Sequence, residues 1–155
     1  MNTHDLSRKQ KSRRGSNIVE FAFFVPWFIF LFIGVFDCGF YVYSLISVET
    51  AAEQGALYAS TSSVTAADST TACGYALDTL RKLPNVGSGV TTCGSGSVSS
   101  TAPVAVTASS ISSGADGNSA ASVQVMYLTP QLIPIPGVLA GQLTINRTVQ
   151  FRIRS

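Results

Sequence analysis

Charged and apolar positions along this chain separate sharply around Gly15. Residues 1–14 are polar and basic, whereas Phe21 to Phe36 is a run of sixteen residues without a charge, continued past Asp37 by Cys38 to Val42. That length is about what an α-helix needs to cross the hydrocarbon core of a bilayer. Beyond Asp37 the pattern turns amphipathic. Phe40, Tyr41, Leu45, Val48, Ala52, Gly55 and Ala59 recur at three- and four-residue spacing, the signature of one helix face. The pattern therefore predicts a helix from near Asn17 to Ala59 or Ser60. Pro26 should kink it, because proline has no N–H for the helical ladder and crowds the carbonyl of Ala22. The polar segment before it should be disordered.

From Ser60 to Thr71 the chain is rich in Ser, Thr and Ala and reads as a flexible link. Asp68, Ser69 or Thr70 can cap a second helix that runs to about Leu83, with Ala72, Ala76, Leu77 and Leu80 as its apolar positions. Pro84, Asn85 and Gly87 stop it, and the Gly/Ser/Thr-rich residues up to 101 read as loop. Three stretches then alternate with the period of a strand. The first holds Val104, Val106 and Ala108, and the second Val123, Val125 and Tyr127. In the third, Leu143, Ile145, Val149, Phe151 and Ile153 face one way and the polar residues the other. Arg147 alone interrupts that apolar row and suggests an edge or a partner contact. A proline-rich connection, Thr129-Pro130 to Pro136-Gly137, joins the last two. The fold class expected is α+β: a long N-terminal helix packed against a small antiparallel sheet that needs such a cover to be stable. The segments are 1–15 (basic), 16–60 (helix), 61–101 (linker with a short helix) and 102–155 (β domain).

The overall charge of +2 hides an asymmetry. Through Gly15 there are five basic residues, Arg8, Lys9, Lys11, Arg13 and Arg14, against Asp5, a net +4; the remainder holds five basic against seven acidic, a net −2. Basic residues placed just before an apolar span act as a topogenic signal, which keeps the N-terminus cytoplasmic and sends the rest outward. They do not form a nucleic-acid patch. The one histidine, His4, lies in the basic segment, so the remainder has no side chain for Ser-His-Asp, Cys-His or His-ligated metal chemistry. No glycine-rich loop is followed by a lysine for phosphate binding. The reading is of a protein that is not an enzyme and takes no cofactor, metal or small-molecule substrate. Cys38 ends the apolar run; Cys73 and Cys93 match no metal-ligand spacing and are a candidate disulfide, closing a loop of 20 residues in an oxidising compartment.

A secretory signal peptide would have its small-residue cleavage site after the apolar run. Here the small pair, Gly15-Ser16, comes before it, so the apolar segment would be retained. Gly15 followed by Ser16-Asn17-Ile18-Val19-Glu20-Phe21 resembles the processing site of type IV prepilins. The longer pattern adds Arg13-Arg14, Pro26, Asp37-x-Gly39 and Ala51-Ala52-Glu53-Gln54-Gly55-Ala56. With these it resembles the TadE-like pseudopilins of tight-adherence (Flp-type) pilus systems. The resemblance covers Gly15 to Ala59 firmly and residues 120–154 more weakly, and it is absent between them. One departure is Glu53 and Leu57, near which the family often has basic residues. The resemblance implies a pilin-like bacterial inner-membrane protein with a periplasmic or extracellular C-terminal domain. A prepilin peptidase would cut between Gly15 and Ser16. Partners would be the membrane, other pilin or pseudopilin subunits and the assembly machinery.

Glu20 has two readings. A carboxylate within a spanning helix costs about 2.5–3.5 kcal/mol on insertion scales, which favours a partnered or functional group. Glu20 and Asp37 are also 17 residues apart, about 26 Å along a helix, so each could sit at one face of the bilayer. The pilin resemblance implies instead that cleavage frees a positive amine on Ser16, which pairs with Glu20 of a neighbouring subunit. Two rival functions stay open: the major subunit of a type IV-like filament, and an uncleaved single-pass envelope protein.

Overall fold

A computed structural model describes residues 4–87, 93–94, 96–131 and 141–154, with side chains from Ile18 onward. It contains three helices, α1 (His4–Ala59), α2 (Ser63–Ala67) and α3 (Ser69–Leu80), and three strands, β1 (Val104–Ile111), β2 (Ala120–Leu128) and β3 (Thr144–Arg152). The chain divides into two units, Met1–Gly39 and Phe40–Ser155. The expected α+β class holds, with helix α1 contributing to both units.

In the first unit, α1 begins at His4, well before the expected start near Asn17, so the basic segment is helical rather than disordered. The physical reason is composition. Leu, Arg, Lys and Gln are all good helix formers, and neither Gly nor Pro occurs between His4 and Arg14. Pro26 lies inside α1, which continues on both sides of it.

In the second unit the sheet order is β1-β2-β3, antiparallel throughout. Its inner face meets α1 from Phe40 onward and α3. Val48, Ala51, Ala52 and Ala56 of α1 share one core with Cys73, Ala76, Leu77 and Leu80 of α3 and with Val106, Val123, Val125 and Tyr127 of the sheet. The amphipathic reading of α1 is thus the packing face, with Tyr41 and Leu45 half-buried at its margin. Small residues let the helices come close: a Cβ added at Gly55 would sit 3.0 Å from the Ala72 carbonyl oxygen and 3.3 Å from Val123 Cγ1.

The segment expected to be a flexible link is a correction. It folds into α2, because Ser62 and Thr65 form a reciprocal capping box and the alanines that follow favour helix. Ala66 is buried, and α2 lies against β1. Helix α3 starts where expected, with Asp68 as N-cap accepting from the Thr71 N–H at 3.1 Å. The Thr71 hydroxyl, and then backbone N–H groups of that first turn, hold the Asp68 carboxyl below its ordinary range. After α3, Asn85 ties the chain to the sheet: its Nδ2 donates to the Leu128 carbonyl at 2.8 Å, and its Oδ1 accepts from the Tyr127 hydroxyl. The proline-rich connection lies mostly outside the described residues; at its ends Thr129 and Leu143 pair, Thr129 N donating to Leu143 O at 2.9 Å and Leu143 N to Thr129 Oγ1 at 2.9 Å.

A candidate membrane and assembly segment

The functional reading rests on α1 before Gly39, and its side-chain environment is unusual for a protein in water. Ile18, Val19, Phe21, Phe23 and Trp27 are each more than 60% exposed, and the exposed apolar series continues through Phe28, Phe32, Val35 and Phe36. These positions lie on every side of the helix, so no single protein partner face explains them. Apart from the bond that Pro26 cannot donate, the helix satisfies its own backbone hydrogen bonds, which leaves mainly side chains to meet the solvent, and from Phe21 to Phe36 these carry no charge. Ile18–Ala59 contains a stretch with mean hydropathy 2.3, long and apolar enough to cross a membrane, and none of that stretch is buried. A single apolar N-terminal helix of this kind fits a single-pass membrane protein.

The polar residues of this segment behave differently from one another. Glu20 is exposed on the helix surface between Val19 and Phe21. Asp37, treated above as a residue at the bilayer face, is only 2% exposed, and its Oδ2 has no hydrogen-bond partner among the described residues. Phe21 and Phe36 are exposed and Pro26 is internal to α1. The Gly15 and Ser16 backbone is helical; their side chains, and the geometry of a cleavage site there, lie outside the described residues. Cys38 is exposed and unpaired.

Cys73 and Cys93 are joined as a disulfide with 5.9 Å between their Cα atoms. The bond links α3 to the outer side of β1, because Cys93 forms a parallel bridge with Val106 and Gly94 N donates to Val106 O at 3.0 Å. Two features escaped the sequence reading: the burial of Asp37 and the Asn85–Tyr127 contact. The second had a signal, since a tyrosine on an inward row needs a partner for its hydroxyl.

Residues 15–57 match the TadE-like protein family. The matched segment starts at Gly15, contains Glu20, Pro26 and Asp37, and takes in Val48, Ala51, Ala52 and Ala56, which pack against α3 and the sheet. The TadE-like resemblance read from the sequence therefore holds over this segment. No curated protein and no solved structure matched the chain.

Proposed function

We propose that this chain is a minor pseudopilin that takes part in assembly of a tight-adherence pilus. The observation that carries the reading is the register of the TadE-like segment. A small pair, Gly15-Ser16, is followed by Glu20 and then by a helix whose exposed surface is apolar on all sides. Prepilin peptidase cuts after Gly15, and the mature chain begins at Ser16. The basic residues before the cut hold that end in the cytoplasm during insertion, and residues beyond Ser60 stand outside the inner membrane. In the bilayer the apolar side chains of α1 face lipid; in assembly they face helices of other subunits, an exchange between two apolar surroundings that carries little hydrophobic penalty.

Glu20 supplies the specificity of that exchange. In lipid its carboxylate is costly, and pairing with the Ser16 amine of a neighbouring subunit removes two unpaired charges together. The test is Glu20→Ala in cells that assemble the pilus. The substitution makes the span more apolar, so insertion and cleavage continue, whereas co-purification with pilus subunits and piliation are lost. Normal incorporation of the alanine variant would show that Glu20 has no role in pairing.

A further inference from the structure

Among its described residues, the second unit leaves one flank of α1 and the β3 edge of the sheet uncovered, on the side away from α3, which packs against β1. Helix α3 covers the other flank, where Thr79 Oγ1 donates to Gln54 Oε1 at 2.6 Å and Gly55 approaches Ala72 and Ala76. The 93–94 segment lies along β1, whereas β3 has no further strand beside it among the described residues. Round α1 from its buried row, away from Gln54, come Val42, Ile46, Glu49, Glu53 and Leu57. All five are exposed, the three apolar ones by about half, at 48%, 59% and 58%. Arg147 of β3 lies opposite Val125, which in turn lies opposite Val106. Directly opposed residues of an antiparallel pair share a face. Arg147 therefore belongs to the face that α1 covers, yet it is exposed at the free edge. The same side of the unit thus carries two carboxylates one helical turn apart, apolar side chains around them, and a guanidinium.

We infer that this surface is a docking face for a second copy of the chain, with Arg147 of each copy meeting Glu49 and Glu53 of the other. Charge complementarity favours a second copy. One surface holding both signs is self-complementary under a two-fold, so a single geometry satisfies both sets of ionic contacts at once. The exposed Val42, Ile46 and Leu57 supply apolar area between them. Arg152 does not contribute, because it lies one strand position out of phase with Arg147, on the outer face, and its charge acts on Asp116 instead. This inference does not depend on pilus assembly, since it concerns self-association only.

A simpler reading is that Arg147 guards the edge of β3 against strand pairing, a common use of an inward charge on an edge strand. Sedimentation of the detergent-solubilised full chain separates the two. Against the unaltered chain, the Glu49→Arg/Glu53→Arg variant and the Arg147→Glu variant should each raise the dimer dissociation constant by about tenfold or more, several rim ion pairs being lost and made repulsive together. Mixing those two variants with each other should restore association, because the charges are then complementary again. Any contribution of the apolar helix is common to all samples. An intact Cys73–Cys93 disulfide and unchanged helix content in each variant establish that it is folded. Dissociation constants that do not respond to either reversal, or a mixture that stays weak, would overturn the docking face and leave Arg147 as an edge guard or a partner of carboxylates in its own chain.

Discussion

Gly55 and Tyr127 show how single positions hold the second unit together. At Gly55 the absence of a side chain lets α1 and α3 touch, and the nearest neighbour of an added Cβ is a backbone oxygen that cannot swing away. Gly55→Leu should therefore cost about 1–3 kcal/mol as overpacking, read as a lower unfolding midpoint of the full chain in detergent. Tyr127 is fully buried, and burial pushes its phenol from an ordinary 10.0 up to about 12, against the smaller opposing influence of Ser44 and Asn85. The raised value fixes the sign of a pH effect. The unfolded chain ionises this phenol near pH 10 and the folded one near 12, so its contribution is complete below about pH 10 and is lost as the pH rises to about 12. Tyr127→Phe should flatten stability against pH across that window, at the cost of leaving Asn85 Oδ1 without its donor. The inward orientation of Tyr127 was legible from alternation in Val123, Val125 and Tyr127. The burial of Asp37 was not, because spacing along a helix says which residues share a face and nothing about what covers it.

At the scale of elements, periodicity served best where one period ran long. The amphipathic half of α1 and the three strands follow their alternation closely, and α3 begins at a capping residue visible in the sequence. Helix α2 was hidden because five residues are too few for a period to show, and the signal lay in the capping pair Ser62 and Thr65. The helical N-terminal segment was hidden for another reason: charge suggested disorder where helix propensity prevailed. A covalent bond ties α3 to the segment that pairs with β1 at Val106. The loop closed by Cys73 and Cys93 spans 20 residues, for which chain entropy gives about 3 kcal/mol. Cys73→Ala/Cys93→Ala should lower unfolding stability by about that amount, as should reduction of the unaltered chain. In a chain exported to an oxidising compartment both thiols should also resist alkylation until reduced. Rapid labelling of both without reductant would contradict the bond.

For the whole molecule, the decisive property is the contrast between a core in the second unit that buries its apolar residues and a first unit that exposes them. The TadE-like match falls on the segment that bears this contrast, and the account built on it is a cleaved, membrane-inserted subunit with its sheet-bearing unit outside. A reporter fused after Ser155 should accordingly be active only outside the cytoplasm. The most direct measurement is the intact mass, with N-terminal sequencing, of the protein extracted from membranes of cells that carry an active prepilin peptidase. The account predicts a chain beginning at Ser16, lighter by the mass of residues 1–15, and accumulation of the uncut form when Gly15 is replaced by a bulky residue. A full-length chain from Met1 to Ser155 in those membranes would contradict it.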